Sequence, residues 1–406
     1  MPEDIVGRIL RLPGYGVYRT AFDEQSSTAT VWVRQVAREP RYTCSGCNIG
    51  VARVHDWSER RVRDLPWGAW KVWLVLEVHR VRCRRCGVKT ERLDFLEGKH
   101  PFTRRFSQAV ARDCEDMAVR RAAAKWAISS QTARRIDKRA LLAWSRSRKR
   151  RPLRQMGVDE LFWRKGKCLT IVSDLELGEP IWAAPDRRKE TLDAFFAERL
   201  PPRLRRAVKA VCVDMCAPFL ASIREHLPRA AVIFDKFHVM QHVNKAVDET
   251  RRAEFFRHKG PLRAVMRGKR WLLLTRWRNL SATKRSELKQ ALALNRRLFK
   301  AYYLKEQLER LWTYTYERPM LRFFMSWVLS LRWQRLPAFG KLALTLTNHL
   351  DGILAYCRHK VPFGVVEAIN GNLRSLIRRG RGYRDHQYLI LKAQRSTAQA
   401  RLARAA

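Results

Sequence analysis

The sequence predicts a multidomain α/β protein: a small β-rich zinc-binding domain, a pair of basic helices, and a mixed-sheet core interrupted by a large α-helical insertion. Three observations carry this expectation. Two Cys-x-x-Cys pairs, Cys44/Cys47 and Cys83/Cys86, lie among strand-like runs near the N-terminus. From residue 153 onward, three strand patterns in a row give way to helix, strand, helix and strand. Two of those strands deliver a carboxylate, Asp159 and Asp214, inside a chain of formal net charge +45.

At 406 residues, 46% hydrophobic and with 14 Trp, the chain is long and apolar enough for two to four folded domains. Lys+Arg 83 against Asp+Glu 38 is an imbalance that a polyanion neutralises. No stretch approaches about 18 uninterrupted apolar residues, and Met1-Pro2-Glu3-Asp4 opens acidic, without a signal-peptide pattern. The expectation is a cytoplasmic, nucleoid-associated protein whose partner is nucleic acid, with no membrane and no small-molecule substrate.

Residues 1–100 read as the β-rich module, with strands at Thr30-Val31-Trp32-Val33 and at 72–78, each beside a cysteine pair. Each Cys-x-x-Cys makes a tight knuckle, and two knuckles complete a tetrahedral site for one structural Zn²⁺ on Cys44, Cys47, Cys83 and Cys86. Arg82, Arg84 and Arg85 would favour the thiolates and reach phosphates. Nine cysteines is an odd count, and the other five read as buried small hydrophobes.

Residues 101–150 turn helical and basic. Val119 to Ala127 and Gln131 to Lys138, parted by a short turn with a Ser129/Ser130 cap, read as a helix-turn-helix. Gln131, Thr132, Arg134, Arg135 and Lys138 are the types that contact base edges and phosphates; a plain helical hairpin is the alternative. The run from Ser145 to Pro152 reads as a linker.

The first part of the core spans 151–252, with strands expected at 153–159, 168–174, 180–184, 208–214 and 230–235 and helices at 189–200, 217–227 and 238–252. This is the order of a ribonuclease H-like catalytic core, in which the first and fourth strands lie side by side. That would bring Asp159 and Asp214 together, each ending its strand where open α/β sheets place ligands. Residues 253–350 read as the helical insertion, its Trp and Leu residues first of all core. Arg267, Lys269, Arg270, Arg276 and Arg278 crowd one end of it, more charge than packing requires, as expected for a surface that holds DNA. Residues 351–406 complete the core: Glu367 opens a helix after Val361-Pro362-Phe363-Gly364, with Asn370, Arg374 and Arg378 following on one face, and a basic tail ends the chain.

Three acids in so basic a chain suit metal-assisted phosphoryl transfer. Asp159, Asp214 and Glu367 would hold two divalent ions about 3.5–4 Å apart, Mg²⁺ or Mn²⁺, with Arg374 and Arg378 contacting DNA. Glu160, Asp174 and Asp235 also sit at strand ends and compete for the role.

At these residues the sequence resembles bacterial insertion-sequence DDE transposases of the ISL-three family, over nearly the whole length. The resemblance is carried by Val81-Arg82-Cys83-Arg84-Arg85-Cys86, Gly157-Val158-Asp159-Glu160, Val213-Asp214-Met215, Phe234-Asp235-Lys236-Phe237-His238-Val239, and Val366-Glu367-Ala368-Ile369-Asn370-Gly371-Asn372. It implies Asp159, Asp214 and Glu367 as the catalytic acids, with Asp235 and His238 beside them. It also implies double-stranded DNA partners (element terminal inverted repeats and target DNA), a homo-oligomer on that DNA, cleavage and strand transfer. Ala368 stands where the family often has Gly, Gly371 separates two Asn that are often adjacent, and Ser45 replaces a usual Pro; none removes a metal-binding group. The alternatives are a structure-specific metal-dependent nuclease of the same fold, or a non-enzymatic zinc-containing DNA-binding regulator.

Overall fold

The structure is a computed structural model that describes residues 2–36, 42–149, 151–164, 166–257, 263 and 267–405. The chain divides into two compact units, Met1–Arg148 and Lys149–Ala406.

The first unit opens with helix α1 (Pro2–Leu10) and strands β1 (Tyr15–Asp23), β2 (Thr28–Gln35), β3 (Tyr42–Thr43), β4 (Gly50–Val51), β5 (Val54–Arg63), β6 (Lys71–Cys83) and β7 (Gly87–Thr90). Its main sheet runs β1-β2-β6-β5, with β7 pairing the end of β6. Period-2 alternation puts Ala29, Val31 and Val33 of β2 and Val72, Leu74 and Leu76 of β6 on one buried face, which α1 covers with Val6 and Leu10. Helices α2 (Arg104–Asp116), α3 (Val119–Lys125) and α4 (Ser130–Ser147) follow and share a small core of Phe106, Val110, Cys114, Ala122, Ala133 and Ile136. Ser129 caps α4 by accepting from Thr132 N at 3.1 Å. Helix α4 runs on through Ser147, so the linker expected from Ser145 is shorter; Arg150 of that run lies outside the described residues.

The second unit begins with β8 (Gln155–Arg164), β9 (Lys167–Asp174), β10 (Glu179–Pro185), α5 (Lys189–Glu198), α6 (Pro202–Arg205), β11 (Ala210–Val213), α7 (Ala217–His226), β12 (Ala231–Phe234) and α8 (Lys236–Arg257). The sheet order is β10-β9-β8-β11-β12. β8, β9 and β10 form an antiparallel meander, while β11 is parallel to β8 and β12 parallel to β11. One strand departs from expectation. Asp159 does not end β8, because the hairpin with β9 carries the strand on to Arg164. It is the ladder with β11 that stops, at Val158↔Val213. Asp159 therefore stands just past the end of the parallel pairing, beside Asp214.

Alternation then sorts the faces. Met156, Val158, Val211 and Val213 pack with α5, α7 and α8. The opposite face receives the last two helices, α15 (Phe363–Arg379) and α16 (His386–Ala405), which bury Ile369, Leu373, Leu389 and Ile390 against Leu161, Leu169 and Ile171. Between α8 and α15 come α9 (Arg270–Leu274), α10 (Ala282–Ala293), α11 (Arg296–Leu308), α12 (Glu317–Leu331), α13 (Pro337–Asn348) and α14 (Leu350–Arg358), with no strand among the described residues. Their Leu288, Leu298, Phe324, Phe339 and Leu346 join the core beneath α8.

The reading of the tryptophans as core is corrected here. Trp327 is buried, but Trp271 and Trp333 are 70% and 76% exposed. The excess-charge reading is also corrected in part. Lys269 pairs with Glu287, Arg270 with Asp248 at 3.5 Å, and Arg276 and Arg278 with Glu309 at 2.9 and 3.5 Å. Local carboxylates hold four of those five cations.

Candidate functional site

The sheet delivers three carboxylates by one rule. Val158, Val213 and Phe234 are the last paired residues of the β8–β11–β12 ladders. The residues just beyond are Asp159, Asp214 and Asp235, so in-register parallel strands bring three acids to one edge. Alternation turns them toward the α15 side, the face shared by Gly157, Cys212 and Ile233. Helix α15 then lies close over that edge. A Cβ on Gly157 would come within 2.7 Å of Leu175 Cδ2 and 3.3 Å of Val366 Cγ2. Glycine at 157 thus allows the helix turn that carries Val366 and Glu367 to approach the sheet. Glu367 sits a full turn inside α15 rather than opening it, because the helix already starts at Phe363 with Pro362 as its cap.

Asp159, Asp214, Asp235, Glu367, Asn370 and Arg374 line one cavity of about 250 Å³, together with Glu160, His238 and Gln241. Asp159 Oδ1 accepts from His238 Nε2 at 3.2 Å and from the Glu160 backbone N–H at 2.7 Å, and its Oδ2 accepts from Asn370 Nδ2. The other ring nitrogen of His238 lies 3.7 Å from Asp214 Oδ2, so one imidazole spans the two aspartates. Burial draws the His238 pKa down, but the hydrogen bond to Asp159 and the charges of Asp214 and Asp235 outweigh it and lift it to about 9. Asp235 is buried, which pushes its carboxyl above the usual range although it accepts from Phe237 N at 2.8 Å. Burial likewise raises Glu160, against the pull of Arg187 at 3.5 Å. Asn370 is 4% exposed, and its Oδ1 has no partner among the described residues.

All three sequence-predicted acids, with Asp235 and His238, therefore line one cavity. Asp174 does not: it turns back to accept from Leu177 N at 3.0 Å. Arg374 is in the cavity wall, and Arg378 is exposed one turn further along α15. Gln241 was not singled out by the sequence, although its place three residues after His238 on α8 puts both on one helix face. The donor set is of hard carboxylate oxygens, which fits Mg²⁺ or Mn²⁺. These donors surround an open space; among the described residues, only a cysteine cluster brings three or more metal-type donors within 4.8 Å of one another.

That cluster is Cys44, Cys47, Cys83 and Cys86. The knuckle geometry is visible in the Gly46 N–H, which donates to Cys44 Sγ at 3.4 Å, and in Cys47 Sγ and Cys83 Sγ at 3.5 Å. Backbone N–H groups of Arg85 and Cys86 draw the Cys83 thiol down to about 7, while sharing a proton with Cys47 pushes Cys86 up to about 12. Four converging sulfurs with backbone donors match a zinc ribbon's needs. Neither nearby histidine joins them: His79 is held by Glu91 at 2.8 Å, and His55 by Arg82.

In the helical segment, Gln131 and Arg135 are exposed at the start of α4, and Thr132, Arg134 and Lys138 are half-buried. The Thr132 hydroxyl is engaged by Ser129 at 2.9 Å.

Comparison with known proteins places this geometry. A transposase family profile matches residues 156–393, and a profile for the zinc finger of the IS204/IS1001/IS1096/IS1165 transposases matches residues 40–86. The chain is 32% identical over 385 residues to the transposase for insertion sequence element IS1001 of Bordetella parapertussis, covering 93% of this chain and 94% of that one. It is 26% identical over 377 residues to the transposase for insertion sequence element IS1557 of Mycobacterium tuberculosis, covering 84% of this chain and 82% of the relative.

Proposed function

Because the chain belongs to the ISL3 family of DDE transposases, we propose that Asp159, Asp214 and Glu367 are its catalytic acids and that the ends of an insertion sequence are its substrate. The enzyme is a DDE-type transposase, with a zinc-ribbon N-terminal region and a divalent-metal requirement. The single observation that carries the site assignment is the placement of Asp159 and Asp214, each just beyond the same ladder pair, facing Glu367 across one cavity. The strand order β10-β9-β8-β11-β12, with helices on both faces, supports a ribonuclease H-like core for the second unit. The insertion, expected at 253–350, extends through α14 to Arg358 before the Glu367 helix. In the first unit, α3 and α4 are a helix-turn-helix, with Gln131, Thr132, Arg134, Arg135 and Lys138 on the recognition helix.

Two Mg²⁺ or Mn²⁺ ions bound by the three acids would supply Lewis acidity at the scissile phosphate and an activated water or 3′-OH. The protein's own groups orient that site. Asn370 and the Glu160 N–H fix the rotamer of Asp159, and His238 balances the charge of the two aspartates. Arg374, across the same cavity, takes a phosphate of the DNA strand. One structural Zn²⁺ on Cys44, Cys47, Cys83 and Cys86 would hold the two knuckles. A homo-oligomer would pair two ends with target DNA.

The test is a cleavage and strand-transfer assay on paired terminal inverted repeats. Cutting with joining supports a transposition reaction at this site. Cutting without joining indicates a nuclease, and end binding without either indicates a regulator. Loss of both steps in Asp159→Asn, Asp214→Asn and Glu367→Gln, with end binding retained, assigns the chemistry to these acids.

A further inference from the structure

Two large aromatic side chains stand in water where α8 meets α9. Trp271 is 70% exposed and Phe256 is 75% exposed. Beside Trp271, and one turn before Phe256 on α8, is a guanidinium cluster built on one acid. Asp248, only 9% exposed, receives Arg251 at 2.8 Å through Oδ1. Through Oδ2 it receives Arg252 Nε and Arg270 Nε, each at 3.5 Å. One carboxylate thus gathers three cations, leaving a local excess of positive charge. Arg252 and Arg270 both reach Asp248 through Nε. Their side chains are 56% and 54% exposed. The Arg270 guanidinium also lies over the Trp271 ring, 5.2 Å from its centroid, and Phe256 follows Arg252 by one turn of α8.

Packing does not require this arrangement. A core would cover the indole, and a solvated salt bridge does not need a guanidinium over an exposed indole ring. The chemistry matches a nucleic-acid strand whose bases are unpaired. Aromatic faces stack on any base, and guanidinium forks bind the intervening phosphates. A duplex keeps its base faces stacked on each other and offers phosphates and groove edges, so it would leave the faces of Trp271 and Phe256 unused.

We propose that Phe256, Arg252, Arg270 and Trp271 form a binding site for a short run of unpaired DNA nucleotides, separate from the carboxylate cavity. The proposal rests on DNA being the substrate but not on the identity of the catalytic acids. The site would hold the single strand exposed when an element end is opened.

The experiment uses the full chain and two probes, a labelled single strand and the duplex of the same sequence, at matched salt. Trp271→Ala is expected to weaken single-strand binding about tenfold, the order of one lost base stack, and to change duplex binding less than about twofold. Trp271→Phe restores most of the loss, and Arg252→Gln lowers the salt slope for the single strand. Because Trp271 is exposed, thermal unfolding of Trp271→Ala should match the parent. Equal losses for strand and duplex would reduce the patch to general electrostatics and overturn the proposal. So would unchanged DNA binding together with a smaller assembly mass, which marks a contact between protein chains. Asp159→Asn, which should abolish cutting, should bind the single strand like the parent. If it cuts normally while Trp271→Ala still loses the strand, the acid assignment fails and this site stands.

Discussion

Asp159 commits both carboxylate oxygens before any cation arrives: Oδ1 to His238 and the Glu160 N–H, Oδ2 to Asn370. Its orientation is therefore set by neighbours, and the neighbours become testable. Asparagine at 159 keeps the shape but loses the charge that holds a cation. Asp159→Asn should lower cleavage by several orders of magnitude with end binding nearly unchanged, measured on labelled ends by gel. Asn370→Ala removes one of the three donors that orient Asp159. Single-turnover cleavage should fall about 10–100-fold, the range for a residue supporting a metal ligand, with DNA affinity unchanged. At this scale the sequence singled out two carboxylates that line the cavity, because strand punctuation and two apolar runs marked Asp159 and Asp214. It did not reveal that His238 spans them, since that contact joins residues from α8 and two strands and has no local signature. Trp271 misled for the opposite reason: helical spacing marks a face as apolar but does not say that another element covers it.

Two contacts between elements, one beside the site and one away from it, bear on the second unit's stability. Gly352 of α14 lies so close to the Phe234 ring of β12 that a Cβ would fall 2.4 Å from Cε2. Phe234 directly precedes Asp235, so overpacking here shifts the strand end that forms the cavity wall. Gly352→Ala should destabilise by about 1–3 kcal/mol by thermal or urea unfolding and impair cleavage along with it. On the far side of the sheet, Asp193 of α5 holds Lys189 at 2.7 Å and, from α7, Ser222 at 2.5 Å and His226 at 3.0 Å. Burial pulls the Asp193 carboxyl up, but Lys189, Ser222 and His226 outweigh it and leave its pKa below the usual value. A carboxylate lowered on folding contributes stability above its unfolded pKa, and that contribution fades as pH falls from about 4 through the folded value. Asp193→Asn should therefore flatten the acid limb of the stability curve; an unchanged limb would show that other groups dominate it. The strand and helix order was legible because each strand is short, apolar and punctuated. The length of β8 was not, because pairing with β9 past Asp159 is a tertiary effect on a polar stretch.

For the whole molecule, a charge of +45 makes DNA affinity a steep function of salt. If about eight phosphates are neutralised, log affinity should fall against log salt with a slope near −7. Changing Arg134 and Arg135 to Ala should cost discrimination between element ends and random DNA more than total affinity; equal losses would mean that α4 grips only the backbone. Zinc content belongs to this scale too. Cys83→Ser should release the ion measured by metal analysis and loosen the first unit while the second keeps its folded spectrum. The central claim, that the β8 and β11 carboxylates and the α15 glutamate hold the ions that cut DNA, is tested most directly by manganese anomalous diffraction from the protein bound to an element end. Peaks are expected about 2.0–2.6 Å from oxygens of Asp159, Asp214 and Glu367, lost in Asp214→Asn. Manganese bound elsewhere beside the scissile phosphate, with these three acids unliganded, would contradict it.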